Sequence, residues 1–274
     1  MKTLYISDLD GTLLQPDVTL SRYTIDTLNE LMEQGMQFTV ATARSIASAR
    51  HILQDLKLTL PIVLMNGVCI YDLAKQEYVN VETLSKSSIY ALMEVITHNQ
   101  LKGFAYTVKD GTLATYYEDL NTKALHDFYQ ERVDLYRKRF TQIDKFSDLS
   151  EEPVIYFSLV DRKEKLEPIV PLIEAIPGLN CTFYRDNYSP EFWFLETFSH
   201  TASKYHALNY LRTSLGAEHI VCFGDNRNDL PMFEAADKRI AVGNAVQELK
   251  DKADLIAGNH TDNGVANWLR DNYK

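Results

Sequence analysis

Asp8 and Asp10 stand two residues apart at the end of an apolar run, Leu4-Tyr5-Ile6, and are followed at once by Gly11 and Thr12. An apolar, β-prone run that breaks into Asp-Gly reads as a buried strand passing into a turn. Residues i and i+2 of an extended chain point to one side, so both carboxylates are expected to face one small volume beyond the strand's carboxyl end. Two such charges repel unless a cation lies between them. A hard divalent ion such as Mg²⁺ suits the position, because it takes oxygen ligands and leaves places for waters and a phosphate oxygen. Gly11 permits the sharp turn. Alone, the segment reads equally well as a surface turn. The balance is shifted by Thr42, by Lys204 and by a second acidic loop, Gly224-Asp225-Asn226-Arg227-Asn228-Asp229, each expected at a strand end or a helix start.

Those groups need a scaffold that brings strand ends together. Ile25, Leu28, Leu31 and Met32 recur at helical spacing, so a helix is expected over 20–35, opening near Ser21 and stopping at Gly35. A strand over 36–41 follows, then a helix opened by 42–45 and running to 56, then a strand over 61–65 before Asn66-Gly67. Strand and helix in alternation imply a parallel sheet with right-handed crossovers, and ligands on such sheets bind beyond the strands' carboxyl ends. After Tyr78 the character changes. A helix over 85–99 precedes aromatic and β-branched runs at 104–109, 113–117, 154–160, 180–185 and 192–196, with helices near 120–132 and 163–176. Pro168 and Pro171 should irregularise the last of these. The parallel pattern then resumes with a helix over 203–215, a strand over 220–223, the acidic loop, strands over 239–242 and 254–257 separated by a helix that Asn244 would cap, and a closing helix over 264–273. The expected fold is α/β: a doubly wound, Rossmann-like parallel-sheet core, discontinuous over 1–82 and 197–274, with an inserted α+β cap domain over 83–196.

Composition narrows the partners. With 274 residues, 45% of them hydrophobic, the chain can bury a substantial core, and a net charge of −10 argues against a broad basic face for nucleic acid or anionic membrane. An anionic substrate would have to be held by a metal, a lysine or helix N-termini. The sequence carries neither a basic-apolar leader nor a membrane-length apolar run, so a cytoplasmic location is expected. Cys69, Cys181 and Cys222 are widely spaced among apolar neighbours and read as buried thiols, and the scattered histidines give no zinc spacing.

DLDGT at 8–12, the hydroxyl of ATAR at 41–44, Lys204 within TASKYHAL and the GDNRND loop at 224–229 resemble, in order and spacing, the four motifs of the haloacid dehalogenase-like hydrolase superfamily. The insert between the second and third motifs, together with Asn66-Gly67, is similar to its Cof-type phosphatases. The resemblance covers essentially the whole chain and implies Mg²⁺-dependent phosphoryl transfer through an aspartyl-phosphate. Asp8 would be the nucleophile and a metal ligand. Asp10 would be the acid and base, lending the metal its backbone carbonyl. Asp225 would complete the protein ligands, and Asp229 would orient the metal shell or Lys204. Thr42, with backbone groups of Leu9 and Ala43, would hold phosphoryl oxygens; Lys204 would neutralise their charge and Asn228 would add a hydrogen bond. Arg44 reads first as a structural ion pair.

The implied substrates are small phosphate esters of the sugar phosphate, pyridoxal phosphate or flavin mononucleotide class, handled by a monomer or weak homo-oligomer. The insert would act as a lid, with Arg185, Asp186, Asn187 and Tyr188 as the turn nearest the leaving group, although its aromatics read first as core. Three positions depart from the family pattern: Ala43 and Thr201 stand where glycine is frequent, and Asn263 where aspartate is. Three rival readings stand beside this one: a receiver-like phospho-aspartate switch, which would turn over slowly; a phosphosugar mutase using the same intermediate, which would release no phosphate; and a catalytically idle binding relative, which the complete set of side chains disfavours.

Overall fold

The computed structural model describes residues 2–186 and 189–273. The chain divides into two compact units, Met1–Val79 with Ser203–Lys274, and Asn80–Ala202.

The first unit starts with β1 (Thr3–Ser7), whose Leu4 and Ile6 are completely buried. Helix α1 (Arg22–Glu33) begins where the Ser21 hydroxyl accepts the Thr24 N–H at 3.0 Å, and it buries Leu28 and Leu31. Then come β2 (Gln37–Val40), α2 (Ile46–Leu53) and β3 (Ile62–Leu64). The sequence pattern left the next stretch unassigned. It forms β4 (Cys69–Asp72) and β5 (Glu77–Val81), completing a three-stranded sheet in the order β3-β4-β5. The turn signal there lies in a side chain: the Asp72 carboxylate accepts the N–H groups of Ala74 and Lys75, both at 3.0 Å.

The inserted unit comprises α3 (Lys86–His98), β6 (Gly103–Lys109), β7 (Thr112–Tyr117), α4 (Lys123–Tyr136), β8 (Thr141–Gln142), β9 (Val154–Asp161), α5 (Lys163–Leu166), α6 (Val170–Glu174), β10 (Leu179–Arg185) and β11 (Trp193–Ser199). Its strands make one sheet in the order β10-β11-β9-β6-β7-β8. The helix expected over 163–176 is broken where Pro168 and Pro171 fall, with a 3₁₀ turn at Glu167–Ile169 between α5 and α6. Alternate residues Phe157 and Leu159 of β9 pack with Leu92, Ile96 and Ile173 in its hydrophobic core. Tyr106 and Tyr156 are buried as well, and Tyr156 stacks on Phe198 with ring centroids 5.6 Å apart, so these rings serve packing. Of the turn expected near the leaving group, Arg185 donates from Nε to the Pro190 carbonyl at 2.6 Å, whereas Asn187 and Tyr188 lie outside the described residues.

The first unit is then completed by α7 (Lys204–Leu215), β12 (His219–Gly224), α8 (Leu230–Ala235), β13 (Lys238–Ala241), α9 (Gln247–Lys250), β14 (Leu255–Ile256) and α10 (Gly264–Asn272). All pairings in the five-stranded sheet β14-β13-β12-β1-β2 are parallel. From β1 the chain winds outward through β2 and, by a bridge between Ala41 and Val63, to β3. It then returns to the other side of β1 with β12 and winds outward the opposite way. That reversal opens a crevice beyond the carboxyl ends of β1 and β12, the usual ligand position on a doubly wound sheet.

Asn244 does not cap α9, which starts after Val246. Its amide donates to the Gly11 carbonyl at 2.7 Å and its oxygen accepts the His260 N–H at 3.1 Å, so it tethers the loop that follows β1. Asn263 likewise serves as a junction, accepting the Ser21 hydroxyl at 2.6 Å and the Gln15 amide at 3.1 Å. No described helix is long and apolar enough to cross a membrane.

Candidate active site

The ends of β1 and β12 are tied by the Asp8 N–H, which donates to the Phe223 carbonyl at 2.9 Å. This places Asp8 beside the loop that leaves β12. Carboxylate oxygens of Asp8, Asp225 and Asp229 lie within 4.8 Å of one another, and all three residues are buried. Lys204, the first residue of α7, reaches them with a buried side chain: its ammonium donates to Asp8 Oδ1 and to Asp229 Oδ1, each at 2.6 Å. The other oxygen of Asp229 accepts the N–H groups of Asp225 at 2.9 Å and Asn226 at 3.1 Å, fixing the loop around it. Gly224 makes that curl possible, since a Cβ there would lie 2.8 Å from the Asp229 side chain. The Thr12 hydroxyl donates to Asp225 Oδ1 at 2.9 Å.

Two of these three buried acids, Asp8 and Asp229, thus share the Lys204 ammonium. Burial pushes the Asp8 carboxyl up to about 8; Lys204 opposes that rise, while Asp229 and Asp10 add to it. Burial likewise holds the Asp225 carboxyl well above the usual range, with Asp229 and Asp8 adding repulsion. For Lys204 burial works against the charge, but Asp229 and Asp8 outweigh it and hold the ammonium above its ordinary value. The cluster is therefore a buried set of hard oxygen donors with an excess of negative charge. That chemistry fits a hard divalent cation and not a zinc site built on nitrogen and sulfur.

Asp10 is not one of the three clustered acids, although its charge reaches Asp8. Its carboxylate accepts Arg44 Nε at 2.7 Å and Arg44 Nη2 at 2.6 Å, a bidentate pair outside the three-acid cluster. The physical reason is local. The strand ends at Ser7, and the Leu9 carbonyl accepts the N–H groups of Leu13 and Leu14, both at 2.9 Å, so the two-residue alternation no longer governs Asp10. Leu9 is fully buried, and Ala43 is half-buried beside Thr42. Thr42 is itself buried, and its Oγ1 accepts the Arg44 N–H at 3.1 Å; it does not cap α2, which opens after Ser45. Asn228 is buried and donates from Nδ2 to Asn66 Oδ1 at 3.3 Å.

Sequence reasoning did not single out Thr12, Asn66 or Asn244 for these contacts. Each is a short polar residue beside a glycine or within a turn, where its type is unremarkable until the partner, more than 150 residues away in each case, is in place.

A profile of haloacid dehalogenase-like hydrolases matches residues 5–269. The pyridoxal phosphate phosphatase YbhA of Escherichia coli (strain K12) is 26% identical, over 96% of this chain and 95% of that protein. The 5-amino-6-(5-phospho-D-ribitylamino)uracil phosphatase YitU of Bacillus subtilis (strain 168) is 24% identical, over 96% of this chain and 95% of that protein. A solved haloacid dehalogenase-like hydrolase from B. subtilis superposes with a TM-score of 0.81 at 24% identity, covering 100% of both chains, and so shares the fold. A family match that runs almost from end to end, on a sheet whose crevice gathers the acids of two of the family's motifs around the lysine of a third, leads to one conclusion: the chain belongs to the haloacid dehalogenase-like hydrolases.

Proposed function

We propose that this chain is a Mg²⁺-dependent phosphatase of small phosphorylated metabolites that works through an aspartyl-phosphate on Asp8. The observation carrying the reading is the buried Lys204 ammonium, held 2.6 Å from both Asp8 and Asp229 at the crevice between β1 and β12. Asp8 attacks phosphorus, and the bond to the leaving oxygen breaks as Asp10 supplies that oxygen with a proton. Asp10 then accepts a proton from the water that cleaves the acyl phosphate, freeing inorganic phosphate and restoring Asp8. Arg44 fixes the direction of the Asp10 carboxylate through its two hydrogen bonds. The Thr42 hydroxyl, backbone N–H groups of Leu9 and Ala43, and the Asn228 amide bind phosphoryl oxygens, and Lys204 offsets their charge; phosphoryl transfer needs little more than such positioning. Asp229 orients Lys204.

The carboxylates of Asp8 and Asp225, with the Asp10 backbone carbonyl, would hold Mg²⁺, which when bound supplies the positive charge the cluster lacks. The inserted segment expected over 83–196 is read as the cap that selects the leaving group. Relatives named for pyridoxal phosphate and for a phosphoribitylamino-uracil support a phosphomonoester carried on a small heterocycle. The decisive experiment measures phosphate release with Mg²⁺ across pyridoxal phosphate, flavin mononucleotide, its ribitylamino-uracil precursor phosphate and a set of sugar phosphates. Release from one or more of these, abolished by EDTA, is expected. Isomerised sugar phosphate without release would favour a mutase, and a stable phosphoprotein without turnover a receiver-like switch.

The acid cluster also fixes how metal and pH act together on stability. Because the Asp8 carboxyl is raised to about 8 and that of Asp225 is raised too, the metal-free folded protein retains protons that the unfolded chain releases near pH ~4. Stability of the metal-free protein should therefore decline as pH rises from about 4 to about 8. Mg²⁺ competes with those protons, so the rise in Tm that it produces is expected to be larger at pH 8 than at pH 6. Thermal unfolding with and without Mg²⁺ at the two pH values checks this, and equal shifts would remove the ion from the cluster.

A further inference from the structure

Between β3 and β4 the chain passes through three successive left-handed positions, Met65 (φ 50°), Asn66 (φ 55°) and Gly67 (φ 100°), all of them buried. Only glycine adopts that region freely, so a run containing methionine and asparagine persists because its surroundings over-determine it. Here they do. The Met65 N–H donates to the Arg44 carbonyl at 3.1 Å, the Asn66 N–H to the Thr42 carbonyl at 3.0 Å, and the Val68 N–H to the Met65 carbonyl at 3.2 Å.

The far side of the turn meets the start of α7. A Cβ on Gly67 would lie 2.1 Å from the Ser203 carbonyl oxygen and 2.7 Å from the Lys204 backbone nitrogen, so backbone lies directly on backbone at the residue that carries the buried ammonium. From the middle of the same turn, the Asn66 side chain accepts the Asn228 amide at 3.3 Å. One strained turn thus touches the loop bearing Thr42 and Arg44, the first residue of α7 and the loop after β12.

We propose that the 65–67 turn is a positioning wedge: its backbone at Gly67 sets how far Lys204 reaches towards Asp8, and its Asn66 side chain sets the direction of Asn228. Asn66 and Gly67 are positioning residues, acting through Lys204 and Asn228. The kinetic part of this inference rests on the phosphatase reading; the geometric part does not. Strain stored here keeps two phosphoryl-facing groups in register with the Thr42 loop, since any relaxation of the turn moves all three together.

The test uses the full chain and an aryl phosphate with Mg²⁺. Gly67→Ala forces a side chain into the Ser203 carbonyl, and displacement of about 1 Å at a catalytic group costs on the order of 10² in rate, so kcat should fall about 10- to 100-fold with KM little changed. In a Lys204→Ala background the same substitution should cost less than about twofold, because the group it displaces is gone. Asn66→Gly keeps the left-handed backbone and removes the acceptor, and should lower kcat; Asn66→Asp keeps both and should restore it. Combined with Asn228→Ala, Asn66→Gly should add little. Additive losses in either pair, or an Asn66→Asp variant no better than Asn66→Gly, would overturn the proposal.

Crystal structures of Gly67→Ala and Asn66→Gly decide the geometry whatever the enzyme hydrolyses. The Lys204–Asp8 contact should open beyond hydrogen-bonding distance in the first, and the Asn228 amide should turn away in the second. Unmoved side chains in both would overturn the wedge even if turnover is lost. Moved side chains in the two variants, together with a wild-type protein that releases no phosphate, would sustain the wedge and sink the phosphatase reading alone.

Discussion

Asp8→Asn should abolish turnover, lowering kcat by roughly 10³-fold or more, while the metal-free variant melts no lower than the wild type. The first half follows from the proposed role of Asp8, since the other two clustered acids are engaged elsewhere: Asp225 by Thr12, and Asp229 by Lys204 and two backbone N–H groups. The second half follows from electrostatics. Burial already holds the Asp8 carboxyl up to about 8, so the folded metal-free protein is penalised for ionising it at neutral pH. An amide of the same shape removes that penalty, and Lys204 keeps Asp229 as its partner. The same substitution should shrink the Mg²⁺-induced rise in Tm. Steady-state kinetics and thermal unfolding on one purified sample check both halves. A variant that retains a tenth of wild-type kcat would end the assignment of Asp8 as nucleophile, and a large drop in metal-free Tm would mean that its charge supports the fold.

Lys204→Ala has the opposite stability signature. Activity should fall by about 10²–10³-fold, the usual result of deleting one preorganised charge at a developing anion. Stability should fall as well, because Asp8 and Asp229, two of three acids clustered within 4.8 Å, lose the ammonium they share. Breaking a buried pair by removing one partner costs roughly 3–5 kcal/mol, a large fraction of a domain's stability. If the proposed roles hold, Mg²⁺ should recover much of that loss in Tm and none of the rate, since the ion would neutralise the acids without replacing an ammonium on the phosphoryl group. Thermal unfolding across a Mg²⁺ titration, with kinetics at saturating ion, separates the two effects. An unchanged rate would make Lys204 a structural counter-ion.

The fold was legible where local chemistry and long-range packing agree. Ser21, Ser85 and Ser203 each cap the helix that the apolar spacing predicts, and Pro168 and Pro171 break the one they should break. The parallel core follows from strand and helix alternating in sequence, a pattern that tertiary context has no reason to override. The β4–β5 pair was missed because Cys69–Asp72 is four residues long and its turn is formed by the Asp72 side chain, with Gln76 at positive φ in place of a glycine. Around the site, sequence showed which residue types recur at strand ends but not where each side chain points. Asp10 sits two residues from Asp8 yet is turned to Arg44, since strand geometry ends before it. Asn244 resembles a helix cap by position and instead holds Gly11, a partner 233 residues earlier. Neither contact has a local signature.

The interleaving of the sheet also dictates when in its synthesis this protein can become itself. β1 pairs with β12, Thr3 lying opposite His219, so the central strand is made some 216 residues before one of its two neighbours. A nascent chain halted inside the inserted unit would expose one flank of β1 as an unpaired hydrophobic edge, the template that aggregation uses. Loops of such length close slowly, and emergence from the ribosome, not helix or hairpin formation, would then set the moment at which Asp8 first meets Lys204.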